Sequence, residues 1–235
     1  MRQHISYWML LCRSTIVKIL TLFAAMTAAE VGLFFLRGTQ AGGLEQMAQA
    51  AWLKWVFAAA LVLMTVILEG TLSTSGSKLD YTLRRLGLGR RSQFLWQSLY
   101  NVLCLMLLWA VQLFVAILLC RLWMDAREGL RGQELFLAFY RDEFFHSILP
   151  LDDLSRWGRN LFAFACMGVS SACVPVCRRR GKYCPASVAQ AVWMVIQFPR
   201  EMAQGGYDLM VMIVCGVLTF ICLVTAWGDD YEEED

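Results

Sequence analysis

Long apolar runs alternate with short polar ones along the whole chain. Runs near residues 16–36, 55–72, 94–123, 161–177 and 209–227 carry few charges. About twenty apolar residues at 1.5 Å each cross the ~30 Å hydrocarbon core, so each run predicts a transmembrane helix. The run at 94–123 exceeds that need and predicts tilt or projection beyond the bilayer. A sixth run, 186–198, reaches only about 20 Å. A full crossing there has to start earlier, near residue 183, or the helix is broken or partly inserted. The pattern predicts an all-α, polytopic protein: one six-helix transmembrane domain over 1–235 with short amphipathic interfacial helices. Its spans are about 16–36, 55–72, 94–123, 161–177, 183–198 and 209–227, the first a retained span.

The polar connections carry their own patterns. In "KLDYTLRRLGLGRRSQ", Leu79, Leu83 and Leu86 fall at i, i+4 and i+7 on one helix face. Gly87 and Gly89 then break the helix, and Ser92 is a suitable N-cap for the next span. Segment 78–92 is thus a short amphipathic helix jointed to a long span. The segment "ELFLAFYRDEFFHSILP" mixes apolar and charged residues and predicts one or two short helices on the leaflet or capping the bundle. Asp152 or Asp153 can cap the helix that follows. The stretch "QHISYWMLLCRS" fits either an interfacial helix or the start of a longer first helix. The end "GDDYEEED", 228–235, predicts a solvated acidic tail.

Composition agrees with this pattern. Of 235 residues, 58% are hydrophobic, against 45–50% in soluble domains. The net charge of +2 says little, because the charge is unevenly placed. Segments 74–94 and 178–185 hold nine basic residues and one acid, whereas loops 37–51 and 199–207 hold two basic residues. The positive-inside rule therefore puts both termini and these basic loops in the cytoplasm, and segment 124–159 outside. No large basic face lies outside the short loops, so nucleic acid is not an expected partner.

Catalytic signatures are missing from the sequence. "GTLSTSGSK" departs from G-x-x-x-x-G-K-[ST], and no H-E-x-x-H or G-x-S-x-G occurs. Nine cysteines, mostly inside apolar runs, give no disulfide framework. Cys173, Cys177 and Cys184 allow a thiolate metal reading, but no histidine lies near them and buried thiols commonly act as small apolar residues. No cofactor or metal is expected, and no enzymatic activity in this chain.

Among the polar residues inside the spans, Glu30, Glu69, Gln97, Asn101 and Gln112 are the candidates. An ionisable group at membrane depth is a functional candidate by default, although Lys18, Lys54 or a basic loop could neutralise either acid. Gln97 and Asn101 share a helix face and suit interhelical hydrogen bonding, as Gly168, Ser170, Ser171 and Ala172 suit close packing.

Two strings carry a resemblance. Tyr81-Thr82-Leu83-Arg84-Arg85-Leu86, followed by Leu95-Trp96-Gln97-Ser98-Leu99-Tyr100-Asn101, is similar to small permease-like membrane proteins of Firmicutes. With six spans and a short helix between spans 2 and 3, the chain resembles the permease subunit of an ABC-2 type transporter. That resemblance implies a dimer, with itself or a second permease, in the cell membrane and energised by a separate ABC ATPase subunit. It also implies that Tyr81, Leu83, Arg84, Arg85 and Leu86 form the helix on which the ATPase docks. The family's outer element lies between spans 5 and 6, whereas the large outer segment here lies between spans 3 and 4. Two other expectations compete: a non-transporting scaffold or sensor that binds a cytosolic partner, and arginines that simply anchor the loop to anionic lipid.

Overall fold

Tyr7, Leu11, Thr15, Ile19, Leu22, Met26, Glu30 and Phe34 recur every three or four positions, and all are buried. In the computed structural model one helix, α1 (Arg2–Leu36), carries them as a single stripe. Ile5, Met9, Ile16, Val17, Leu20 and Phe35 point outward, as a lipid-facing surface requires. The N-terminal stretch is therefore the start of a longer first helix. The structure describes residues 2–70, 89–126, 132–151, 153–197 and 205–228.

Eight further α-helices, and no strand, occur among the described residues. Beyond a short turn of helix at Gly38–Gln40 come α2 (Leu44–Ala50) and α3 (Leu53–Gly70). Trp52, between them, holds φ at 55°, a left-handed value that ends α2 and redirects the chain. Next come α4 (Arg90–Asp125), α5 (Gly132–Arg141) and α6 (Glu143–Ile148). The last three are α7 (Leu154–Arg179), α8 (Ala186–Gln197) and α9 (Gly205–Trp227). Of these, α1, α3, α4, α7 and α9 are long and apolar enough to cross a membrane.

Several helix ends differ from the sequence-based expectation. Gly89, not Ser92, precedes the first turn of α4. Arg90 and Arg91 are good helix formers, so the helix extends back to the glycine. Helix α8 starts at Ala186 rather than near residue 183. Ala189 N–H donates to Pro185 O at 3.0 Å, and a proline disfavours helical geometry in the residue before it. Its 12 residues span about 18 Å. Both outer helices form, and Asp142 and Asp153 accept backbone N–H bonds at the starts of α6 and α7. Asp152, the other candidate cap, lies outside the described residues.

Side-chain contacts fix the directions of the helices. Trp96 Nε1 donates to His4 Nδ1 at 2.8 Å, and the Thr15 and Tyr100 hydroxyls are 2.5 Å apart. Glu30 faces Gln112 further along, so α1 and α4 run parallel. Asn101 Nδ2 donates to Ser171 Oγ at 2.9 Å, and Trp109 packs on Phe164 and Trp157, so α7 runs antiparallel to α4. Arg159 meets Asp208, and Ser170 meets Thr219, each pair 49 positions apart. Cys166 with Cys215, and Cys173 with Cys222, repeat the offset. Helices α7 and α9 therefore lie parallel and in register. Between them, α8 starts at the end of the bundle where α7 finishes.

One end of the bundle thus gathers the start of α1, the end of α3, the start of α4, the ends of α7 and α9, and the start of α8. Arg90, Arg91, Arg178, Arg179, Arg180 and Lys182 belong to this basic end. Helices α2, α5 and α6 cover the opposite end. Helix α7 lies at the centre, against α4 and α9, and is the most buried of the long helices. Shielded from lipid, it can carry Arg159, Asn160, Ser170 and Ser171 on buried positions. Asn101 and the small residues do hold α4 against α7: a Cβ on Gly168 would lie 2.7 Å from Val102 N.

Candidate functional site

Helix α1 brings Glu30 to the bundle interior because position 30 continues its buried stripe. Helix α4 brings Gln112 to face it. Both side chains are fully buried, at 0% exposure. Gln112 is close enough to act on the carboxylate charge, yet the two make no hydrogen bond of proper geometry. Both Glu30 oxygens and both polar atoms of Gln112 are left without a partner. More than nine-tenths of buried polar groups in folded proteins are matched. The Glu30–Gln112 contact therefore stands out among the buried polar groups of α1 and α4.

Glu69 occupies the basic end, one residue before the end of α3. Ser187, in the first turn of α8, lies against it, and Arg178 is its nearby positive charge. Of the expected neutralising groups, the basic 178–182 segment supplies this charge; the Lys54 ammonium instead sits 5.6 Å from the Trp55 ring. Glu69 Oε1 and Ser187 Oγ are unmatched. Asn101 spans to α7, whereas Gln97, one turn earlier and also buried, has an unmatched Nε2. Glu30 and Glu69 thus lie toward opposite ends and do not form a carboxylate pair. Tyr81, Leu83, Arg84, Arg85 and Leu86 lie outside the described residues. Their flanks, Gly70 and Gly89, both belong to the basic end.

Three further polar arrangements have no local signature in sequence. Arg159, 1% exposed, pairs with Asp208 at 3.1 Å, and its Nε and Nη2 donate to Asn160 Oδ1 at 3.2 and 3.1 Å. Asn160 Nδ2 then donates to Ser147 O at 2.8 Å, tying α7 to the cap helix α6. Deeper in the bundle, Ser170 Oγ donates to Gln190 Oε1 at 2.6 Å, Gln190 Nε2 to Thr219 Oγ1 at 3.5 Å, and Thr219 Oγ1 to Cys215 O at 2.8 Å. That network joins α7, α8 and α9. Both sets unite residues remote in sequence; only the parallel register of α7 and α9 would have suggested them.

The third lies at the end opposite the basic one, where a cavity of about 440 Å³ opens between α2, α3 and the start of α6. Glu45, Trp52, Lys54, Trp55, Arg141 and Asp142 are among its lining residues. Arg37 lies over the Trp52 ring at 5.8 Å. Burial pushes the Asp142 carboxyl above the usual carboxylate range, and the Phe145 and Phe144 N–H bonds pull it partly back. The cavity offers aromatic faces and charges of both signs.

Searches against protein-family models, curated proteins and solved structures found no match for this chain.

Proposed function

We propose that this chain is the membrane-spanning permease subunit of an ABC-type exporter of the ABC-2 kind, energised by a separate ATPase. In this reading it lies in a bacterial cell membrane with both termini cytoplasmic, and works as a homodimer or with a second permease. The observation that carries the proposal is α4. It is one unbroken helix of 36 residues, about 54 Å long, far beyond the ~30 Å core. It starts directly after the basic 78–88 segment and passes Asn101 and Gln112 on its way to the far end. Near the middle of the helix, just before Gln112, Trp109 Nε1 donates to Ile148 O at 3.1 Å, joining α4 to the cap helices. A force on segment 78–86 would pass through the joint that the sequence places at Gly87 and Gly89 to the head of this rod, and the rod would carry it toward Gln112, Glu30 and the outer cap. Glu30 and Gln112 would form a polar station on the substrate path.

The test is co-purification with an ABC ATPase encoded beside the gene, using wild type and Arg84→Glu/Arg85→Glu. The double reversal should abolish association and the stimulation of ATP hydrolysis. Unchanged association would end the coupling assignment. A second reading, a non-transporting scaffold that holds a cytosolic partner on the same segment, draws on the tight α4–α7 approach at Gly168. It would leave partner binding intact while reconstituted vesicles show no ATP-dependent efflux.

A further inference from the structure

At the basic end, four cysteines from three parts of the chain share one buried cluster with Val174 and Ala226. Cys173 and Cys177 come from the last turns of α7, Cys184 from the turn before α8, and Cys222 from α9. The Cys184 and Cys222 sulfurs are 3.4 Å apart. The four thiols do not converge as a ligand set: among the described residues no three His, Cys, Asp or Glu side chains come together to hold a metal ion. Chemistry between two sulfurs fits the arrangement instead.

We propose that Cys184 and Cys222 form a reversible dithiol–disulfide pair that responds to an anionic low-molecular-weight disulfide such as oxidised glutathione. Closing 3.4 Å to a bond of about 2.05 Å needs a shift of little over 1 Å. Residues 180–185 are a turn, outside any helix and with Gly181 at φ 70°, and can absorb it. Cys184 is the entering thiol, because it keeps 7% exposure in that turn, whereas Cys222 sits inside a helix with none. Arg180 and Lys182 lie in the turn, Arg178 and Arg179 just before it, and their summed positive charge draws an anion. Cys184, having lost its proton, attacks one sulfur of the oxidant. A mixed disulfide forms, the oxidant's own S–S bond breaks, and the first thiolate leaves. Cys222 gives up its proton and attacks the Cys184 sulfur, releasing the second. Two protein thiols are oxidised and one small disulfide is reduced to two thiols. The product ties the α7–α8 turn covalently to α9. This inference stands on the sulfur geometry and does not depend on the transport proposal.

The test takes the full-length protein in native membranes before and after exposure to oxidised glutathione, quenches it with acid, denatures it in detergent, alkylates the free thiols with N-ethylmaleimide and digests it for mass spectrometry. Both thiols should be alkylated before exposure. After it, a Cys184–Cys222 linked peptide should dominate and disappear with dithiothreitol. In Cys222→Ser, glutathione should accumulate on Cys184, because the resolving thiol is gone. Continued alkylation of both cysteines, a link from Cys184 to Cys177 instead, or no adduct in Cys222→Ser would overturn the proposal.

Discussion

Gly168 sets the distance between α4 and α7, and its replacement by alanine measures that contact. A Cβ there would lie 2.4 Å from Val102 Cγ2, 2.7 Å from Val102 N and 2.9 Å from Val102 Cα. The valine side chain can turn away, but its backbone belongs to a long helix and cannot yield alone. Ordinary contact begins near 3.4 Å, so the two helices have to part by roughly 0.5–0.7 Å. The Asn101–Ser171 hydrogen bond, 2.9 Å long, would then stretch to the edge of its range. Overpacking costs about 1–3 kcal/mol. An interhelical hydrogen bond in a membrane contributes about 0.6 kcal/mol more. The sum, about 2–3.5 kcal/mol, should lower the melting temperature of the detergent-solubilised protein by roughly 5–12 °C, read by intrinsic tryptophan fluorescence. Gly158, on the same helix, has open space around its Cβ position. Gly158→Ala should melt at or above wild type, because alanine favours the helix. Val102→Ala should not rescue Gly168→Ala, since the backbone contacts remain. Equal melting of the two glycine variants, or rescue by Val102→Ala, would refute the reasoning.

Other outcomes follow from the same structure. Arg159→Met or Asp208→Leu alone strands a buried charge and should cost about 3–5 kcal/mol, whereas the double variant should recover most of it in a double-mutant cycle. Glu30→Gln keeps the side chain's shape and removes an unmatched carboxylate. It should melt at or above wild type while reducing efflux in reconstituted vesicles; unchanged efflux would remove Glu30 from the substrate path. Asp142 has its folded-state pKa raised by burial, so the folded protein holds that proton more tightly than the unfolded chain. This stability is present at low pH and is lost as pH rises from the ordinary carboxylate value through the raised one. Asp142→Asn should flatten that part of the melting-versus-pH curve and keep the α6 cap, whereas Asp142→Ala should lose about 1 kcal/mol of capping.

The crossings were legible because a bilayer imposes a length and a polarity that any sequence has to meet. Five apolar runs became five long helices, and the small residues around Gly168 became the close α4–α7 approach. Asn101 could be placed for the same reason: an amide between apolar neighbours needs a partner on another helix. The buried Arg159–Asp208 pair was not legible. Arg159 looks like a loop arginine beside other charges, and nothing near it in sequence points to a residue 49 positions later. Helix α2 was equally hidden, since "LEQMAQA" is too polar and too short for its period to stand out from a loop. For Glu30, sequence located the acid within a span, but the unmatched Gln112 facing it depends on the parallel packing of α1 and α4.

The in-register pairing of α7 and α9 has a consequence for biogenesis. Arg159 leaves the ribosome 49 residues before Asp208. At roughly 5–20 residues per second, that leaves the arginine without its counter-ion for about 2–10 seconds. During that interval α7, the most polar of the long helices in its buried face, has none of its rungs to α9. The nascent protein is then most exposed to quality-control proteases, and a translational pause between the two helices would lengthen the exposure. Substitutions in α9 should therefore lower the amount of protein made more than they lower the stability of what survives.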